Sequence, residues 1–186
     1  MQQLIFRKEA KMNANHSFTQ TASQPFIRQA AVADVPLLLP LVADYWAFES
    51  IPGFTAQRIA SQLARLLSAP SQGQGWIALA EGMAVGYLLA VYVFSLEHFG
   101  LTAEIEEFFV LPTQRGNGVG AELLRIAEAA FIQAGCTNIS LQLARGNDAA
   151  RTFYHRFGYN ERSAYELLDK TLHARLTAQV RGTGQG

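Results

Sequence analysis

The stretch "VLPTQRGNGVGAELL", residues 110–124, sets three glycines within five positions between an apolar run and a helical pattern. Glycine lets backbone take positive φ and approach another molecule closely, at an entropic cost. Placed between a strand and the first turn of a helix, the cluster presents N–H groups without intrahelical partners at the positive end of the helix dipole. That is a natural seat for a phosphate. Arg115 adds a charged donor at the same end. Two phosphate-binding loops are excluded by spacing. G-x-x-x-x-G-K-[ST] needs a lysine that this stretch lacks, and G-x-G-x-x-G needs an acidic residue about 20 positions on, where Thr137 and Asn138 stand.

Around this loop, helix and strand signals alternate. "FIRQA" from Phe26 reads as a short strand. Asp34 is expected to cap a helix with Pro36 in its first turn and Leu38, Leu41, Val42 and Tyr45 on one face. Thr55 starts a second helix on Ile59, Leu63 and Leu66. "WIALAEGMAVGYLLAVYVF" gives two strands joined at Glu81-Gly82, and "AEIEEFFVLP" a fourth strand before the loop. A helix over 118–134 stops at Gly135, "ISLQL" is a fifth strand, and Asn147 caps a short helix. "YNERSAYELL" is expected to return as a last strand. Residues 1–24 read as a polar extension, 25–170 as one mixed α/β domain, and 171–186 as a tail able to form a short amphipathic helix.

Composition narrows the function. The 186 residues carry fifteen basic and fifteen acidic side chains, giving no electrostatic reason to expect nucleic acid or an anionic membrane. The longest apolar run, "VGYLLAVYVF", has strand length and is too short to span a bilayer. Cys136 is the only cysteine, which rules out an intrachain disulfide and fits a cytoplasmic location. Four scattered histidines offer no metal-ligand spacing, so no metal is expected.

The motif "RGNGVG" resembles the Q/R-x-x-G-x-G/A loop of the GNAT acetyltransferase superfamily, with Arg115, Gly118 and Gly120 in the defining places. "IEEFFVLPTQRGNGVGAELL" is similar to the family's strand-loop-helix core, and "NDAARTFYHRFGY" to its N-x-x-A-x-x-F-Y-x-x-x-G-[FY] segment. The resemblance covers Phe26 to Leu168 and implies a mostly antiparallel sheet of six to seven strands flanked by about four helices. It also implies an N-acetyltransferase that uses acetyl-CoA on a primary amine of a small molecule or peptide, and a homodimer. The alternative on the same scaffold is a non-catalytic acyl-CoA-binding sensor.

Residue by residue, the resemblance places the pyrophosphate on backbone N–H groups of Arg115, Gly116, Asn117, Gly118, Val119, Gly120 and Ala121. The pantetheine arm would pair with Phe109, Val110 and Leu111. Asn147 matches an asparagine that touches that arm, although capping alone explains it equally simply. Tyr154 matches a tyrosine that protonates the departing thiolate, a suitable task for a phenol with pKa near 10. Its alternative role is packing beside Phe153 and Phe157. An alkylammonium is neutral in only about one molecule in a thousand at pH 7, so a carboxylate must take its proton. Glu106 matches the family's base and Glu107 is the reserve; strand alternation would send the two to opposite faces. Glu49 in "DYWAFESIPGF" and Glu97 in "FSLEHFG" are candidates for holding a cationic acceptor.

Overall fold

The computed structural model describes residues 25–172, so the expectations for 1–24 and for most of the tail lie outside it. The chain divides into two compact units, Met1–Gln142 and Leu143–Gly186. The division falls inside the single domain expected over 25–170.

The first unit is built on one five-stranded sheet of order β1-β2-β3-β4-β5: β1 (Phe26–Gln29), β2 (Gly73–Ala80), β3 (Met83–Ser95), β4 (Gly100–Val110) and β5 (Asn138–Leu141). The first four strands pair antiparallel, and β5 joins β4 in parallel. Helices α1 (Val35–Phe48) and α2 (Ala56–Leu67) cover one face, where Leu38, Leu41, Val42 and Leu63 meet Ile77, Tyr87, Leu89 and Phe109. Helix α3 (Val119–Gln133) contacts β2, β3 and β4 through the other face, and its buried Phe131 meets Trp76 and Tyr92 edge-on. Alternation along β2 and β3 divides side chains between the two faces, so both must be apolar.

Small residues set how closely the layers approach. A Cβ on Gly73 would lie 2.8 Å from Leu66 Cδ1 of α2 and closer still to the Ala90 carbonyl oxygen. Gly135 ends α3 at φ +82°, with Cys136 N–H donating to Phe131 O and Gly135 N–H to Ile132 O, the paired bonds of a left-handed helix stop.

Two sequence expectations need correction. Asp34 precedes α1, but its side chain makes no cap hydrogen bond to that helix. It turns back to accept from Ala31 N–H at 2.8 Å and from both Arg28 nitrogens at 2.6 and 2.7 Å. A buried carboxylate gains more from a bidentate guanidinium than from one amide. The expected last strand over 159–168 is absent. Within the second unit, Glu161 is drawn to Arg151 at 3.1 Å and to His155 at 2.9 Å, both on helix α4 (Asp148–Arg156). Tyr165 N–H then closes a turn on Arg162 O, leaving Tyr165, Leu167 and Leu168 exposed. The sheet thus has five strands among the described residues, where six to seven were expected, while the mixed α/β class and the four helices stand.

Candidate active site

The glycine loop enters α3 through two left-handed residues, Gly116 at φ +78° and Gly118 at φ +83°, the latter directly preceding the helix. A Cβ on either would meet nothing within 4 Å, so glycine is required there by backbone conformation and not by crowding. Gly120 sits within the first turn of α3. The first N–H bonded inside the helix is that of Glu122, to Gly118 O, so those of Val119, Gly120 and Ala121 point out of the helix end. This geometry fits a phosphate.

Upstream of the loop, β4 departs from regular alternation. Leu89 pairs with Glu107 while Ala90 pairs with Ile105, which leaves Glu106 as an inserted bulge residue. Counted from the Ser95–Gly100 closure, Tyr87 would oppose Phe108; the bulge makes it oppose Phe109 instead. Glu107, Phe109, Tyr87 and Leu89 therefore share the face under α1, while Ile105 and Phe108 share the α3 face despite their odd spacing. The expectation that Glu106 and Glu107 diverge assumed unbroken alternation. Both carboxylates act on the phenol of Tyr45 from α1.

Glu107 is half-buried and held at both oxygens. Trp46 Nε1–H donates to Oε1 at 2.8 Å, and the Tyr87 hydroxyl donates to Oε2 at 2.7 Å. Burial raises its carboxyl above the usual range, these two hydrogen bonds pull it back, and the Glu106 charge raises it again; the net direction is up. Glu106 is more accessible, yet partial desolvation and then Glu104 raise its carboxyl as well. Tyr45 is pushed up to about 12, first by burial and then by Glu107, Glu49 and Glu106. Three carboxylates thus converge electrostatically on one phenol at the C-terminal end of α1. Such a place favours a cation.

Arg115 is placed differently from the expected phosphate donor. Its Nε donates to Val110 O at 2.9 Å, and its guanidinium lies 5.0 Å from the Phe48 ring centroid and 5.5 Å from that of Phe109. It fastens the loop to the end of β4 by stacking and hydrogen bonding. Of the three residues expected to offer backbone to an extended ligand, Leu111 uses its N–H on Val85 O. Residues alternate in the direction of their backbone groups, so Phe109 faces β3 with Leu111, and Val110 faces the opposite edge. On that edge the ladder to β5 ends at the Ile105–Leu141 pair, and beside Val110, among the described residues, the carbonyl is taken by Arg115.

Glu49 follows α1 and is among the charges acting on Tyr45. Glu97 is not brought there. It lies in the turn between β3 and β4, roughly 20 Å along the strand from Glu107 by ordinary strand rise. In the second unit Asn147 Oδ1 accepts from Ala150 N–H at 3.1 Å, which makes it the cap of α4. Tyr154 on that helix is buried, with ring contacts to Phe153 and Tyr159.

Sequence reasoning attaches no role to Trp46 in "DYWAFES" and places Tyr87 in a strand without one. A signal did exist: a buried indole N–H and a buried phenol each need an acceptor, and an acidic residue on an inward strand face needs donors. Their meeting depends on the bulge, which no local pattern announces.

Residues 39–159 match the family model described as acetyltransferase (GNAT) family. The aminoalkylphosphonate N-acetyltransferase of Salmonella typhimurium is 40% identical over 87 residues, covering 46% of this chain and 55% of that protein, so the chain spans little more than half of that relative's length. The aminoglycoside N(6')-acetyltransferase type 1 of Klebsiella aerogenes is 26% identical over 155 residues, 81% of this chain and 99% of that one. Among solved structures, an integron cassette protein from the mobile metagenome of Cole Harbour Salt Marsh superposes with TM-score 0.70 at 26% identity, covering 79% of this chain and 90% of that one. The aminoglycoside acetyltransferase AAC(6')-Iy, solved with a CoA bisubstrate analogue, gives TM-score 0.68 at 21% identity over 81% and 99% of the two chains, a likeness of fold.

Proposed function

This chain belongs to the acetyltransferase (GNAT) family, and from that premise we propose that it moves an acetyl group from acetyl-CoA to a primary amine of a small molecule or peptide. The carrying observation is the run of β4 into α3: two carboxylates at a bulge, one half-buried and one accessible, then a left-handed glycine entry to an open helix N-terminus. Acetyl-CoA supplies an activated acetyl group and a thiolate leaving group. Val119, Gly120 and Ala121 would hold its pyrophosphate through their N–H groups, and the β4 edge at Val110 would hold its extended arm. Glu106 would take the ammonium proton, directly or through water, so that the amine attacks the thioester without a covalent enzyme intermediate. Tyr154, matched by its motif, would return a proton to the thiolate.

The relatives named above act on aminoalkylphosphonates and aminoglycosides, which share an amine on a polar small molecule. The carboxylates around Tyr45 suit such a cation. A cytoplasmic homodimer completes the proposal, and light scattering should give twice the chain mass. Among the described residues, no helix is long and apolar enough to cross a membrane.

The test is calorimetric titration with acetyl-CoA, followed by thiol release against a panel of aminoalkylphosphonates, aminoglycosides, polyamines and amino acids. Binding with thiol release on part of the panel is expected, and the Glu106→Gln/Tyr154→Phe double variant should bind acetyl-CoA yet release almost no thiol. Folded protein that binds no acetyl-CoA would overturn the reading. Binding without turnover on any amine would favour the sensor alternative.

A further inference from the structure

We propose that Trp46 and Tyr87 are positioning residues of the transfer reaction: by donating one hydrogen bond to each oxygen of Glu107 they fix its carboxylate as a standing anion for the acceptor's ammonium, which leaves Glu106 as the group that takes the proton. The proposal rests on the acetyltransferase reading and divides labour within it.

Glu107 cannot swing without loss. Tyr87 is fully buried, and α1 carries Trp46 against the same face of the sheet. If the carboxylate left its place, an indole N–H and a buried phenol would both lose their acceptor, and an unsatisfied buried donor is costly. An indole nitrogen can only donate, so Oε1 is held as an acceptor whatever the state of Oε2. A shuttling base must exchange its proton with solvent or substrate at each turnover, and two fixed donors oppose that. Glu106 lies next to it at the bulge, accessible, with its carboxyl raised above its ordinary value by partial desolvation and by Glu104.

Glu107 interacts with Trp46 and Tyr45 from α1, Tyr87 from β3 and Glu106 from β4; Glu49, following α1, acts on the same Tyr45, and the Arg115 guanidinium stacks over Phe48 and Phe109. An ammonium entering here meets one fixed negative charge and one adjustable one. In the balanced step, R–NH3+ gives its proton to Glu106, the freed nitrogen bonds to the acetyl carbon, and the carbon–sulfur bond breaks with its electron pair on sulfur. The nitrogen sheds its second proton as it becomes the amide, and the thiolate takes up one, so that R–NH3+ and acetyl-CoA give amide, thiol and the one proton that Glu106 releases to solvent.

Two readouts test this, one independent of turnover. In a Trp76→Phe background Trp46 is the sole tryptophan, and its emission should titrate with Glu107. Tyr87→Phe removes one bond that favours the ionised form, so the emission midpoint should move to higher pH, and Glu107→Gln should abolish the transition. In steady-state kinetics, Tyr87→Phe and Trp46→Phe should each raise the amine KM about tenfold, the equivalent of about 1.4 kcal/mol, with acetyl-CoA affinity unchanged. Either change added to Glu107→Gln should do little more. Glu106→Gln should instead collapse kcat and remove the acid limb of its pH profile. Stability losses in Tyr87→Phe or Trp46→Phe with amine KM and pH profile intact would overturn the positioning role while leaving the acetyltransferase reading standing. An unshifted emission midpoint would overturn the hydrogen-bonded arrangement itself. Absence of acetyl-CoA binding in the parent protein would remove the reading on which all of this rests.

Discussion

Gly118 and Gly135 stand at opposite ends of α3 with nearly identical backbone, φ +83° and +82°, and a Cβ on either meets nothing within 4 Å. Alanine at each therefore carries the same penalty and differs only in what lies nearby. The left-handed conformation costs an L-residue about 1–2 kcal/mol, while alanine's stiffer unfolded chain returns about 0.4–1 kcal/mol. A net destabilisation of about 1 kcal/mol should lower Tm by roughly 2–4 °C in a chain of this length. The functional consequences should diverge. Gly118→Ala pulls the N–H groups of Val119, Gly120 and Ala121 out of register, and loss of one charge-assisted bond, about 1.5 kcal/mol, weakens acetyl-CoA binding about tenfold. Gly135→Ala, about 25 Å away by helical rise, should leave binding untouched. Thermal melts and calorimetric titration at one fixed salt concentration supply both numbers. If the two variants lose affinity equally, or Gly118→Ala loses stability while keeping its Kd, the helix N-terminus is not the phosphate seat.

Two further outcomes follow from the packing. The carboxyl of Asp34 is held below its ordinary value chiefly by hydrogen bonding from Arg28, and a group with a lowered folded pKa contributes stability above its unfolded pKa. Asp34→Asn should therefore cost about 1–3 kcal/mol at pH 7, with the Tm gap to the parent closing as pH falls below about 4 toward the lowered folded value; a gap that stays constant down to pH 2 would remove the ion pair as its cause. Gly73→Ala should destabilise more than Gly118→Ala, by about 1–3 kcal/mol from overpacking on top of lost fit, because its Cβ would strike the Ala90 carbonyl and Leu66. Equal Tm losses in the two variants would show that α2 gives way easily.

The loop between β4 and α3 was legible because its requirements are local. Positive φ at Gly116 and Gly118, an N-terminus without intrahelical acceptors and the left-handed stop at Gly135 each follow from a few neighbouring residues. The helical apolar stripes likewise named Leu38, Leu41, Val42 and Leu63, all buried, before any fold was in view. Local chemistry failed where it met a long-range competitor. Asp34 had the right type and place for a cap, yet Arg28 across the β1–α1 connection holds it more strongly. Residues 159–168 had strand-like composition, but a strand exists only through its neighbour, and Glu161 is engaged by α4.

By itself, then, the sequence determined an α/β chain with a glycine-built helix entry and carboxylates just upstream of it, since periodicity, turn residues and motif spacing are all read within a few positions. Only the tertiary structure decided how those carboxylates divide. The β4 bulge shifts the register by one residue, brings Glu106 and Glu107 under the influence of the same phenol, and sets Tyr87 on β3 and Trp46 on α1 against the two oxygens of Glu107. A one-residue slip reverses every face along a strand, and where it occurs depends on the packing of both layers at once.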